Sequence, residues 1–325
     1  MKRTFGFSAI ALSAVCIGAV WSGGVWAQAA GKTITIIVPT TSGTGSDIAA
    51  RLLVPRLSKL TGQPVIVDIK TGASGAIGIG AVAAAVPDGN TFLIAPNSIA
   101  MLNALNKKLT WDPVNDFMPV ARLGKMLVST VVNPTVSATT LAQLVALAKS
   151  KPGSLNYGSP GSGTPHHLRS EQFKQLTGTN IVHVPYKGSA GAVADLVGGQ
   201  VQVGFFPLHS VLQFVNAGKL RMLATSGDTR SSWTPDVPTF RESGIKELND
   251  YDWLAAFLPR NTPKETAARL TRDINGIFSS PEMIEELAKR GIIANPGSPD
   301  ELAALLKKEL FEWKKIVDNG NIVAD

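Results

Sequence analysis

The sequence predicts an α/β protein made of two similar units, each a mainly parallel sheet flanked by helices, with a cleft between them. A strand–loop–helix–strand pattern occurs in residues 33–95 and again in residues 155–225. The predicted strands are followed by loops rich in glycine and hydroxyl side chains. Two apolar segments, 123–132 and 253–259, are long enough to run between the units. Alternation of this kind is typical of parallel sheets covered by helices.

The first unit follows from the hydrophobic pattern between residues 33 and 95. Residues 33–39 (TITIIVP) are rich in β-branched side chains and end at a proline, which indicates a buried strand. Residues 46–60 have apolar positions at a helical period, and residues 76–86 form an alanine-rich helical segment. Residues 64–69 and 91–95 are the second and third predicted strands.

The second unit repeats this design and is followed by a helical tail. Predicted helices lie at 141–148, 166–176 and 190–197, predicted strands at 155–158, 181–184, 201–206 and 220–225, and tail helices at 263–277, 281–289 and 299–317. Prolines stand near the start of each tail helix, where helices tolerate them. The two apolar connecting segments predict a hinge. We therefore expect lobe one at 31–129 plus 249–325 and lobe two at 130–248.

Residues 1–27 have the organisation of a secretory signal peptide. Lys2 and Arg3 precede an uncharged apolar run at 5–20, and small residues follow it. A membrane anchor is the alternative, but the run is shorter than the ~20 residues that span a bilayer. Removal of Lys2 and Arg3, with no acid, lowers the formal charge from +7 to +5 and also removes Cys16, the one cysteine. We expect an exported, periplasmic protein without disulfides.

Composition and motifs argue against several functional classes. The basic residues are scattered, so nucleic-acid binding has no support. We find no Gly-x-Ser-x-Gly elbow, no phosphate-binding P-loop and no His-Glu-x-x-His in the sequence. Residues 78–83 match a dinucleotide-binding pattern but lie inside a predicted helix. The sequence therefore predicts neither an enzyme nor a metal or cofactor site.

Four loops have the features of an anion-binding site. They lie at 40–47, 71–75, 157–168 and 182–188, and each precedes a predicted helix. A helix N-terminus presents free N–H groups at the positive end of its dipole. Glycines permit close approach of the backbone, and hydroxyls add donors. Because ligands of open α/β sheets bind at the carboxyl ends of the strands, these loops predict capture of a small acid.

Several sequence runs resemble a known family. They are 45–51 (GSDIAAR), 85–89 (AVPDG), 111–120 (WDPVNDFMPV), 183–188 (HVPYKG), 195–201 (DLVGGQV), 217–221 (AGKLR) and 235–239 (PDVPT). The chain resembles, from Ile34 onward, periplasmic solute receptors of the Bordetella uptake gene type, the binding components of tripartite tricarboxylate transporters. The resemblance implies a two-lobed, periplasmic-binding-protein-like (Venus-flytrap) fold. In this family the first two loops hold a carboxylate, partly through water, and the second lobe closes over the ligand.

Three departures from the family pattern bear on the ligand. Thr41-Ser42-Gly43 stands where the family usually has Pro-Gly-Gly, and residues 71–75 (TGASG) stand where it has Pro-Gly-Ala-Gly-Gly. The added hydroxyls are expected to donate directly to a carboxylate. Phe206 stands where an aspartate is frequent, which argues against an amino acid and favours an apolar or aromatic ligand body. Packing of Phe206 in the core is the alternative.

These observations lead to one functional prediction. We expect a receptor that captures a small organic (di)carboxylate, acts as a monomer and delivers the ligand to two membrane subunits of a tripartite transporter. The alternatives are a partner of a membrane signalling protein and, with less support, a periplasmic enzyme. The predicted ligand contacts are Thr40, Thr41, Ser42, Gly43, Ser74 and Gly75 in lobe one, and Ser159, Ser162, Thr164, His167, Gly188 and Phe206 in lobe two. His166 and His167 are adjacent, so we expect only one of them, His167, to face the cleft.

Overall fold

A computed structural model describes residues 32–105, 108–320 and 322. The predicted signal peptide lies outside these residues. Within them the chain forms two sheets flanked by helices, so the predicted α/β class is confirmed. No helix in the described ranges is long and apolar enough to cross a membrane.

The first sheet has six strands, and its central strand arrives from the far part of the chain. The strands are β1 (Ile34–Val38), β2 (Val65–Ile69), β3 (Thr91–Pro96), β4 (Phe117–Met126), β10 (Asp252–Pro259) and β11 (Ile293–Gly297), in the spatial order β11-β4-β10-β3-β1-β2. β1 pairs in parallel with β2 and β3, whereas β10 is antiparallel to β3 and β4. The sheet is therefore mixed, with a parallel half that supplies strand-to-helix loops.

The second sheet has five strands and repeats this plan. They are β5 (Val128–Val132), β6 (Asn156–Ser159), β7 (Val182–Pro185), β8 (Val203–Pro207) and β9 (Arg221–Thr225), in the order β7-β6-β8-β5-β9. β6 is parallel to β7 and β8, and β5 is antiparallel to β8 and β9. Both predicted units thus contain three neighbouring strand ends that can contribute to one cleft.

The chain crosses between the sheets twice. The apolar segment 123–132 is divided between β4 and β5, with Leu127 alone between them. The return lies between β9 and β10. The expectation that residues 253–259 make the return is wrong, because the whole segment belongs to β10 and pairs with β3 and β4 inside the first sheet. The expected boundary after residue 129 falls inside β5, because the second sheet already begins at Val128. The exact division into lobes stays a prediction.

Ten helices of the described chain cover the two sheets. They are α1 (Gly45–Thr61), α2 (Ala76–Ala83), α3 (Ser98–Leu105), α4 (Leu141–Ser150), α5 (Pro165–Thr177), α6 (Ser189–Val197), α7 (Leu208–Asn216), α8 (Lys264–Phe278), α9 (Pro281–Ala288) and α10 (Pro299–Gly320). Local sequence sets several ends: Gly62 ends α1 in a left-handed conformation, and proline opens α5 and α9. Ile36 and Ile37, adjacent on β1, pack in the two different apolar clusters on opposite faces of the sheet. Burial on both faces explains the nearly continuous apolar runs of these strands.

Candidate functional site

A cavity of about 440 Å³ lies between the two sheets. Its walls come from the loops after β1, β2 and β3 and from the loops after β6, β7 and β8. These are the carboxyl ends of the parallel strands, where the sequence places the ligand. Six predicted site residues line the cavity: Thr40, Thr41, Ser74, Gly75, Thr164 and Gly188. The other six, Ser42, Gly43, Ser159, Ser162, His167 and Phe206, are not among its lining residues.

The loop before α1 is held together by its own side chains. The Thr44 hydroxyl donates to the Thr41 carbonyl at 2.8 Å. The Thr44 hydroxyl has only one proton, which this bond uses. Thr40 must therefore be the donor in the 2.6 Å contact between the Thr40 and Thr44 hydroxyls. The Gly43 N–H donates to the buried Asp47 carboxylate at 2.8 Å, and Ser42 and Gly43 are exposed. These donors therefore order the loop and are not free for a ligand.

The start of α1 retains hydrogen-bonding capacity. Thr44 makes no side-chain cap bond to the helix, and the first N–H groups of a helix have no acceptor within it. Gly45 and Ser46 both line the cavity. Ser46 is 1% exposed, and its hydroxyl has no partner among the residues that the structure describes. The N-terminus of α1 can therefore hold an anion with backbone and hydroxyl donors.

The loop after β2 reaches across the cleft. Ala73 and Ser74 have φ of 46° and 55°, a left-handed conformation that is costly for residues with a Cβ atom. The Ser74 hydroxyl donates to the Ser162 carbonyl of the second sheet's loop. Nearby, a Cβ atom on Gly188 would lie 3.2 Å from Thr41 Cγ2. The two halves of the cleft thus touch through Ser74 and through the close approach at Gly188.

The remaining predicted residues of the second half make hydrogen bonds within the protein that hold the loop after β6 in place. Ser159 is fully buried, and its hydroxyl lies 2.6 Å from His183 Nε2. His167 Nδ1 accepts from the Gly163 N–H at 3.1 Å, and its ring stacks on His183 at 4.2 Å. The Thr164 side chain caps α5. The Ser159–His183 pair has the appearance of a nucleophile and base, but Ser159 does not line the cavity.

Phe206 lies on β8 and is fully buried within an apolar cluster. Its ring lies 5.6 Å from that of His166, which does line the cavity. The structure therefore puts His166, rather than its neighbour His167, on the cavity wall. Phe206 supports that wall from behind. The alternative that Phe206 packs in the core matches this placement.

Sequence reasoning missed four further lining residues that have unmet hydrogen-bonding capacity or charge: Ser98, His166, His209 and Asp252. Ser98 begins α3 at the end of β3, and its buried hydroxyl has no partner in the described part of the chain. His209 follows the end of β8 as the second residue of α7. For Ser98, His166 and His209 the signal that could have found them is position, because each lies at a helix start that follows a parallel strand whose end faces the cleft. Asp252 has no such signal, because it begins the antiparallel strand β10.

Burial controls the charge of these groups. It lowers the pKa of His166 to about 3, with a further contribution from the positive charge of Arg169. It lowers the pKa of His209 to about 4, with His166 as the second cause. Both rings are therefore neutral at pH 7. Burial raises the pKa of Asp252, while Arg169 and Asn97 oppose this.

No group of three or more potential metal ligands occurs in residues 32–105, 108–320 and 322.

The sequence and the fold match known solute receptors. Residues 49–322 match the model of the tripartite tricarboxylate transporter family receptor, TctC. The protein BugT of Bordetella pertussis is 33% identical over 288 residues, which cover 88% of each chain. The structure of Rhodopseudomonas palustris Rpa4515 with adipate superposes with a TM-score of 0.85 at 31% identity, covering 91% of this chain and 99% of that one.

A third relative has the same overall fold. MatC from Rhodopseudomonas palustris with bound malate superposes with a TM-score of 0.82 at 28% identity, covering 88% of this chain and 98% of that one. The predicted family resemblance and the two-lobed fold are confirmed by these matches. The chain therefore belongs to the TctC family, whose members are periplasmic solute-binding receptors.

Proposed function

We propose that this chain captures a small organic carboxylate in the periplasm, as a monomer without a cofactor, and delivers it to the two membrane subunits of a tripartite tricarboxylate transporter. The observation that carries the proposal is the start of α1. There the first-turn N–H groups and the unpartnered Ser46 hydroxyl meet at the wall of the cavity. Backbone and hydroxyl donors at a helix N-terminus suit a carboxylate.

The size and closure of the cavity support this function. A volume of about 440 Å³ lies in the range of sites for small molecules. The Ser74–Ser162 hydrogen bond and the close approach of Gly188 to Thr41 bring opposite loops together beside the cavity. A ligand would enter after these contacts open and would be enclosed when they form. Binding can drive closure only if the ligand has more contacts in the closed state than in the open one.

The ligands of two relatives support the same chemistry. Rpa4515 is complexed with adipate and MatC with malate, and both ligands are dicarboxylates. The carboxylate of such a ligand would accept from the start of α1. Its chain would lie along the apolar part of the wall, which includes Pro39, Met126 and Leu254. Delivery to the membrane subunits is inferred from the family.

The first experiment is a thermal-shift screen of residues 28–325 against aliphatic and aromatic mono-, di- and tricarboxylates, with amino acids included. A ligand at 100 times its dissociation constant stabilises by about 2.7 kcal/mol. We expect stabilisation by a class of acids and none by amino acids. A leucine at Ser46 should abolish the shift by filling the site, whereas Ser42→Leu, on an exposed position of the same loop, is the matched control. If no acid stabilises the protein, carboxylate capture is wrong.

A second measurement separates transport from signalling. Cells that lack the gene should lose uptake of the labelled acid and regain it with the intact gene. Normal uptake in the deletion strain would contradict delivery to a transporter and would favour a role as partner of a membrane signalling protein.

A further inference from the structure

Two imidazole rings line the cavity from neighbouring helix starts of the second half. His166 is the second residue of α5, which follows β6, and His209 is the second residue of α7, which follows β8. β6 and β8 are adjacent in the sheet. β8 also pairs with β5, directly after the crossing at Leu127. The two histidines therefore follow adjacent strand ends of the second sheet.

We propose that His166 and His209 bind a second acidic group of the ligand and that this binding takes up a proton. The proposal rests on the carboxylate capture proposed above and assigns the opposite end of the same ligand. It makes the preferred ligand a dicarboxylate, with one carboxylate at the start of α1 and the other at the two imidazoles.

The hydrogen bonding of the two rings is incomplete. None of their four ring nitrogens has a partner among the described residues, and none is accessible to water. A neutral imidazole has one donor and one acceptor nitrogen, and leaving both unpaired in a buried place is costly. A half-turn of the ring about its bond to Cβ exchanges nitrogens with carbons in nearly the same volume. Each ring can therefore present a nitrogen to a ligand in the cavity that it lines.

The surrounding charges favour an acid over an amine. Asp252 is the one carboxylate side chain among the described lining residues. It already lies 3.7 Å from Arg169 Nη2, and Asn97 Nδ2 donates to it at 3.2 Å. Ser46 and Ser98, at helix starts of the first half, add residues with unpartnered hydroxyls to the lining of the cavity. A ligand ammonium group would lack a free counter-charge here, whereas a carboxylate would find several donors.

The proton uptake follows from the change that a carboxylate makes around the rings. Burial holds the pKa of His166 at about 3 and that of His209 at about 4. A nearby negative charge favours the protonated ring and raises its pKa. Binding should therefore strengthen as the pH falls from 8 to 6. The other titratable and charged groups that line or adjoin the cavity are Asp252 on β10, Arg169 on α5, Glu309 on α10, and Tyr186 and Lys187 after β7.

Glu309 is a neighbouring group that titrates near neutrality. Burial raises its pKa to about 7, and its carboxylate accepts from the Trp253 and Trp313 indoles. It does not line the cavity. A comparison of the wild type with histidine variants separates its protonation from that of the two rings.

The test is isothermal titration of residues 28–325 with succinate, malate, glutarate and adipate, and with butyrate, valerate and hexanoate as monocarboxylates. Titrations at pH 6, 7 and 8, in two buffers of different ionisation enthalpy, count the protons taken up. We expect at least one dicarboxylate to bind about tenfold or more tightly than the monocarboxylate of equal length, with uptake of up to one proton at pH 6. His166→Gln, His209→Gln and the double variant should remove this preference and flatten the pH dependence.

The outcomes are distinguishable. Equal binding of mono- and dicarboxylates, or proton uptake that persists in the double variant, overturns this inference and leaves carboxylate capture intact. Binding of none of these acids overturns this inference, and carboxylate capture is overturned as well if no acid of the thermal-shift screen stabilises the protein. The single variants protect the test against misfolding of the double variant, and a melting temperature at or above that of the wild type shows that the fold is retained.

Discussion

The polar groups around the cleft form two sets that differ in their hydrogen bonding. In the partnered set, Thr40, Thr44 and Ser74 donate to other protein atoms and hold loops to one another. In the unpartnered set, Ser46, Ser98, His166 and His209 have no partner among the described residues. All seven side chains line the same cavity. Residue type alone therefore does not identify a ligand contact, because a hydroxyl proton that is already donated cannot also hold a carboxylate.

The largest expected effect is a loss of stability on breaking the buried ion pair between Arg169 and Asp252, which lies next to the unpartnered set. The side chains of Arg169 and Asp252 are each 3% exposed and form an ion pair. Asp252 is the carboxylate that lines the cavity. Arg169→Met leaves Asp252 buried without its cation, which should lower the free energy of unfolding by about 3–5 kcal/mol. The loss should be smaller at pH 5 than at pH 8, because protonation of Asp252 removes the unpaired charge. Urea unfolding at both pH values measures this.

A surface ion pair provides the matched control. Arg230 and Glu242 are each 45% exposed, so Arg230→Met should cost only about 0–1 kcal/mol. Equal losses in the two variants would mean that Asp252 is not held by Arg169. The wall beside the histidines would then contain a free acid, and the contrast between the two sets would be weakened.

The next effect tests the unpartnered set directly. Ser46→Ala removes a buried hydroxyl without a protein partner, so the ligand-free protein should be as stable as the wild type or slightly more stable. Affinity for a carboxylate that binds the wild type should fall about tenfold, or by about 1.4 kcal/mol. Thermal unfolding and calorimetric titration measure both quantities. Ser42→Ala, at an exposed position, is the control, and an unchanged affinity in Ser46→Ala would exclude this hydroxyl from the site.

Most of the fold could be predicted because its strands are buried on both faces. β1, β3 and β8 are apolar runs bounded by polar or proline-containing loops, so pattern and length define them. The break at Leu127 could not be seen, because residues 123–132, which join the end of β4 to β5, contain no proline and no turn dipeptide. β11 was missed for the opposite reason, since it contains the residues Asn295-Pro296-Gly297, which indicate a turn.

The site could be predicted only as far as the loops. Position after a parallel strand correctly selects the segments that line the cavity, such as the loops of Thr41 and Gly188. Hydrogen-bond partners could not be predicted, because they are distant in the sequence: Ser74 donates to a carbonyl 88 positions away. Which of His166 and His167 lines the cavity depends on how α5 is rotated about its axis against β8. Phe206 on β8 packs behind the His166 ring, which is the one on the cavity wall.

The smallest expected effect concerns Ser74, and it separates closure from ligand contact. Ser74→Gly relieves the left-handed strain, by about 1–2 kcal/mol, and removes the donor to Ser162. Ser74→Ala removes the same donor and keeps the strain, so the glycine variant should melt at the higher temperature. Both variants should be more open without ligand, which solution scattering detects as a larger radius of gyration. Because this hydroxyl donates across the cleft, affinity for the acid should change less than in Ser46→Ala. A loss of affinity in Ser74→Gly that equals the loss in Ser46→Ala would make Ser74 a ligand contact, and the two sets would then be one.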